Sequence, residues 1–443
     1  MSSYINKVKD HCADFTMRLI FNKSFFCKTA SLILLAFMLF TTSVYAQRNE
    51  IYDKNIASLQ VVAGQDWLSL PVIRLNGYRT NDRLNISFDD MTHAYHRYSY
   101  RIEHCEADWT TSEQLFESDY LEGFYDGNTI DDLTESINTN VLYTHYSFQI
   151  PNDKCRLKMS GNYKVTVYDD NDNNRPMFTA CFMVVEPLAA IQLGVTTNTD
   201  VDVNKAHQQV SMQINYGGIK VTDPTSQIHT VVMQNRRWDN AKINAKPQYI
   251  MPDGLRWEHN RDLIFKAGNE YHKFEILDVT HPTMGIDRIE WDGTSYHVYP
   301  FTAEPRLNYV YDEDSNGAFY IRNSDNVEND ISSDYVFVHY ILKSPYRVNG
   351  DVYINAVWTN DRFTPKYRMT YDEAERCYKA VIMQKQGYYS YQFVMLDASG
   401  ATQIMPTEGS FYQTENQYQA LVYYRGPSDR TDRLVGYQQI RFK

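Results

Sequence analysis

Four side chains able to ligate a metal fall within five residues of this chain: His104, Cys105, Glu106 and Asp108. An imidazole, a thiolate and carboxylates are the donors of a zinc site, provided that they converge on one point. The residues leading into them argue against convergence. Tyr98, Tyr100, Ile102 and His104 alternate with Ser99, Arg101 and Glu103, the pattern of a half-buried strand with an aromatic inner face. Neighbours on a strand point to opposite faces, so His104 and Cys105 cannot share an ion without a bulge. They read instead as a buried, hydrogen-bonded histidine beside an edge cysteine. His93 and His96 lie in a loop without the carboxylate pattern of a zinc helix and read as solvated polar sequence. Asp169 to Asn174 offers oxygens to calcium, but it lacks the glycine and terminal glutamate of a helix-loop-helix site. Asp and Asn are also what a tight turn selects, so this stretch reads as a hairpin tip. No local pattern nominates a carboxylate pair for glycoside hydrolysis. No G-x-S-x-G, phosphate-binding glycine loop or C-x-x-C occurs. No catalytic, cofactor or metal residue is assigned, and the chain is expected not to be an enzyme.

The strands that would position these residues are clearer than the chemistry. Tyr98–His104 is followed by Ala107-Asp108-Trp109, a polar turn ending on an indole that needs cover. Gly161-Asn162-Tyr163-Lys164-Val165 then opens a second alternating strand. A returning strand that begins Gly-x-Tyr is a mark of immunoglobulin and fibronectin-type sandwiches. Gly387-Tyr388-Tyr389-Ser390-Tyr391 repeats the pattern late in the chain, suggesting an internal repeat of sandwich modules. The expected fold is all-β, in tandem immunoglobulin/fibronectin-like β-sandwich domains.

Residues 1–46 are expected to be a secretory signal peptide. Basic residues precede the apolar run Ala30–Phe40, and Val44-Tyr45-Ala46 is a small-residue cleavage site. Translation starts at either Met1 or Met17, the latter leaving a tidier leader. The expected layout is then a first sandwich over 47–187, a second β-rich domain over 190–312, a polar linker over 313–331 and a third sandwich over 332–443. Pro187 closes the first of these, since proline cannot continue a central strand.

A net charge of −12 disfavours nucleic acid and anionic lipid as partners. The 36 tyrosines suit both strands and contact surfaces. Cys105, Cys155, Cys181 and Cys377 remain after the leader. Export permits disulfides, but alternation puts Cys105 on the polar face of its strand. A Cys155–Cys181 bridge is left open. Arg425, Asp429, Arg430, Asp432 and Arg433 form a mixed-charge cluster in a Gly-Pro-Ser turn. Such loop charges can fix the register of an interface, which makes these five the candidate interface residues; exposed ion pairs of little energetic weight are the alternative.

In the third domain, Val357-Trp358-Thr359-Asn360 with Gly387–Phe393 resembles starch- and glycogen-binding modules, which stack exposed aromatics on sugar rings. That makes a carbohydrate-binding protein the alternative reading. A broader likeness runs along the chain in order. It takes in Arg97-Tyr98, Ile102, His104-Cys105, Ala107-Asp108-Trp109 and Gly161–Val165. It continues through Glu408-Gly409-Ser410-Phe411, Glu415-Asn416, Tyr418, Val422–Arg425 and Asp432–Tyr437. In these motifs the sequence resembles the plug protein family of the type IX secretion system. The resemblance implies a periplasmic, non-enzymatic protein that closes the periplasmic mouth of the outer-membrane translocon barrel. Its association with the membrane would run only through that partner.

Overall fold

A computed structural model describes residues 48–75 and 82–443. The expected signal peptide and both candidate start sites lie outside the described residues. The described residues form one compact unit built almost entirely of antiparallel sheets. Among the described residues no helix is long and apolar enough to cross a membrane.

The first sandwich follows immunoglobulin strand order. One sheet runs Ile56–Ala63, Leu84–Asp90, Thr144–Ile150, Asp132–Glu135, the A-B-E-D order. The facing sheet centres on Arg175–Val185, Gly161–Asp169 and Tyr98–Cys105, in the order G-F-C. Alternation sends Tyr98, Tyr100 and Ile102 inward as expected, against Phe88, Tyr146 and Phe178. Burying a side chain such as Phe88 or Phe178 is worth about 1.5–3 kcal/mol. Both Gly-x-Tyr motifs form the same corner. The Tyr163 hydroxyl donates to the Met159 carbonyl at 2.7 Å, and that of Tyr389 donates to Lys385 at 2.6 Å. Gly161 (φ +147°) and Gly387 (φ +154°) precede them. A Cβ at Gly161 would fall 2.3 Å from His104 Nε2, and one at Gly387 2.3 Å from the Tyr320 carbonyl oxygen, so only glycine lets these strands lie so close to their neighbours.

The second sandwich is assembled from both ends of a long interval. One sheet is Ala190–Thr196, His207–Asn215, Gly254–Trp257 and Tyr249–Met251, with Ile264–Lys266 also on His207–Asn215. The other places Ile228–Gln234 between Lys242–Ile243 and the C-terminal strand Asn416–Tyr424, which pairs in turn with Arg433–Phe442. The third sandwich is inserted within the second. Its central strand Gly387–Leu396 pairs with His272–Ile276, Phe319–Ile321, Asp351–Asn355 and Thr402–Ile404.

This pairing cuts across the expected division at 190–312, 313–331 and 332–443. Tyr418, Ala420 and Val422 face the core of the second sandwich with Val210 and Trp257. Leu421 and Tyr423, on the opposite face, join Cys105, Trp109 and Cys181 of the first. A strand buried on both faces carries no mark of which neighbour it belongs to. The expected linker is also corrected: Ala318 is buried and Phe319–Ile321 pairs with Gly387–Tyr389.

Candidate interaction surface

The five residues of the C-terminal turn are brought together with the first sandwich. Arg425 pairs with Glu106, and its Nε lies 3.2 Å from Asp432. Asp432 accepts the Ala107 N–H at 2.9 Å, and its own N–H donates to Glu106 at 2.9 Å. Burial pushes the Asp432 carboxyl up, against the Ala107 N–H and Arg425, which hold it down. Arg430 reaches Asp119 at 2.8 Å, and Arg433 pairs with Glu186. Asp429 accepts the Gly426 N–H at 2.8 Å and so closes its own turn. The cluster is an interface, but one between the last hairpin and the first sandwich.

His104 lies behind this seam. It is buried, bonded to Ser112 Oγ at 2.9 Å and to the Ser160 carbonyl at 3.2 Å, and Ser112 Oγ in turn touches Thr431 Oγ1 at 2.9 Å. Burial lowers its pKa from 6.5 to about 4, so the ring is neutral at pH 7. Cys105 is not an edge residue. The second sandwich covers the outer face of its strand, and burial raises the thiol to about 12. Cys155 is a free thiol in the core of the first sandwich, so the Cys155–Cys181 bridge is not made. Among the described residues no group of His, Cys, Asp or Glu converges on a metal site. The Asp169–Asn174 stretch is a hairpin tip, with Asn173 and Asn174 at positive φ. Asp169 is held 2.9 Å from His96, so His96 is a structural partner rather than solvated sequence. Trp358 donates its indole N–H to the Ser390 carbonyl at 3.3 Å and packs on Tyr340, Tyr367 and Tyr389. It packs, partly buried, against the core of the third sandwich.

A second seam escaped the sequence reading. Lys385 Nζ, buried at the boundary of the first and third sandwiches, lies 2.6 Å from Asp89. It also sits 4.1 Å from the centre of the Tyr143 ring. Asp89 further accepts from Tyr335 at 2.6 Å and pairs with His145 at 2.7 Å. Burial alone would drive the Asp89 carboxyl up, but Lys385 and His145 hold it below the usual carboxylate range. The one available signal was a lysine in the run Tyr378–Lys385, at the end of a strand.

A run of large apolar side chains is left outward. Residues 301–311 cross the third sandwich as a strap, with Phe301 63%, Leu307 81%, Val310 74% and Tyr311 54% exposed. Polar side chains between them hold it down. Arg306 pairs with buried Glu408 and donates to the Glu270 carbonyl at 2.6 Å. The Tyr309 hydroxyl donates to Glu270 at 2.6 Å. Just beyond, Asp314 accepts the Asn316 N–H at 2.5 Å, and burial pushes its carboxyl up to about 7. An anchored segment that holds several large apolar residues in solvent is a candidate interaction surface.

Residues 56–186 match the sequence profile of the type 9 secretion system plug protein 1st domain, a span that coincides with the first sandwich. No curated protein matches the chain. Among solved structures, the crystal structure of a hypothetical protein from Parabacteroides merdae is similar at 37% identity and a TM-score of 0.85. The likeness covers 89% of this chain and 99% of that one.

Proposed function

We propose, from the premise that this chain belongs to the type 9 secretion system plug protein family, that it binds the outer-membrane translocon barrel of that system from the periplasm and closes it. The match over residues 56–186 carries the reading. Closure calls for no chemistry, only for a stiff body with a stable contact. The two seams and the shared C-terminal hairpin suit stiffness, and the strap supplies apolar contact. Leu307 and Val310 are assigned to the interface with the barrel, in place of the five charged residues that the chain uses for itself. A specific contact buries at least about 1,000 Å², so the strap would be its centre rather than its whole extent.

Cells lacking the protein should admit bulky dyes or antibiotics more readily than wild type. Deleting the barrel as well should restore the barrier. A single mutant as impermeable as wild type, with no co-purification from detergent-solubilised outer membrane, would overturn the reading.

A further inference from the structure

A polar cleft of about 580 Å³ separates the second and third sandwiches, within the range of about 300–1,000 Å³ typical of binding sites. None of the residues that line it belongs to the strap 301–311. Four cationic side chains line it, Arg237, Lys242, Arg261 and Lys266, against the single carboxylate of Asp239. Arg237 is already committed to Asp239 at 2.5 Å, and Asp239 also accepts from Thr402 at 2.6 Å. Lys242, Arg261 and Lys266 make no ion pair among the described residues. Asp200 lies close enough to Arg261 to feel its charge and Asp397 accepts from Gln403 at 3.1 Å, but the lining itself carries more cations than carboxylates in a chain of net charge −12.

The walls are sheet edges. Lys242–Ile243 ends its sheet, and Thr402–Ile404 pairs only with Gly387–Leu396 among the described residues. Such edges leave backbone N–H and C=O groups free to take an added strand. Lys242 Nζ sits 5.4 Å from the centre of the Phe265 ring, and Lys266 Nζ reaches Gln403 across the cleft at 3.0 Å. Both cations are therefore held at the walls.

We infer that this cleft docks an extended, acidic polypeptide segment, its carboxylates on Lys242 and Lys266 and its backbone along the free edges. The site does not depend on closure of the barrel.

The purified full-length chain is titrated by fluorescence anisotropy with a labelled, end-capped short peptide that alternates Glu and Val. Saturable binding is expected. It should weaken by at least about tenfold in the K242E/K266E variant and fall as salt rises from about 0.05 to 0.5 M. The matching Lys–Val peptide should not bind. K242Q/K266Q serves if the reversal lowers the melting temperature, and it too should lose binding. The inference is overturned by an absence of saturation, by unchanged affinity in the folded variants, or by equal binding of the Lys–Val peptide. It is also overturned if a polygalacturonate fragment or inorganic phosphate displaces the peptide at equal charge concentration, because the site would then take anions in general.

Discussion

Two of the seams that hold the first sandwich to the rest of the molecule differ in solvent access. At the C-terminal seam, Arg425, Arg430 and Arg433 are each between about a third and a half exposed, and their carboxylates are only partly covered. At the other, Lys385 and Asp89 are both essentially without solvent. Four ion pairs in a half-wet groove bring less than their number suggests, because water screens them and long side chains lose freedom. One buried pair contributes little over an apolar substitute, yet it is costly to break, since the surviving charge is stranded. The two seams therefore differ less in how much they stabilise than in how they fail.

The largest effect is expected from Lys385→Met, which leaves Asp89 buried with only His145 and Tyr335. A loss of about 3–5 kcal/mol is expected by denaturant titration. The double variant K385M/D89N should recover most of it, because no charge is then stranded. If the single variant loses under 1 kcal/mol, the contrast between the seams collapses.

Acid should separate them next. His104, behind the C-terminal seam, titrates near 4 when folded against 6.5 as its ordinary value. The native state therefore binds fewer protons than the unfolded chain between those values, and stability falls as pH drops through that window. The full loss is about 3 kcal/mol. Asp89 is depressed, so its contribution is intact above about pH 3.9 and is lost only below it. His104→Gln should flatten the stability profile between pH 6.5 and about 4; an unchanged slope would remove His104 from the account.

Smaller effects test the wet seam itself. Glu106 accepts from Arg425, from Thr431 Oγ1 at 3.1 Å and from the Asp432 N–H at 2.9 Å. Glu106→Gln should cost about 1–3 kcal/mol, measured by denaturation. Arg430→Ala, removing an exposed pair with Asp119, should cost less than about 1 kcal/mol. The smallest shift, within about 0.5 kcal/mol, is expected for L307D/V310D in the strap. The same variant should nevertheless lose co-purification with the barrel, the reverse of what Glu106→Gln does. Retained co-purification would place the contact elsewhere.

Much of the fold was legible because strand alternation is a local property. Tyr98, Tyr100 and Ile102 face inward on a pattern readable two residues at a time, and each Gly-x-Tyr announces its corner from three. The charged turn was legible as a cluster, but its partners were not: Glu106, Asp119 and Glu186 lie hundreds of residues earlier. The strap was passed over because Leu307, Val310 and Tyr311 look like core residues until a fold leaves them outside.

By itself, then, the sequence determined the all-β class, the inward faces of the principal strands and the absence of a recognisable catalytic motif. Tertiary structure alone decided that Asn416–Phe442 completes the second sandwich, that the third is inserted within it, and that Cys105 faces a neighbour. The physical reason is that the cost of closing a loop rises only logarithmically with its length. A strand can therefore pair across an inserted sandwich almost as readily as with a near neighbour, and the choice falls to side-chain packing on its two faces. Tyr418 and Val422 fill the second core while Leu421 and Tyr423 fill the gap against the first, and that fit exists only once all three bodies are in place.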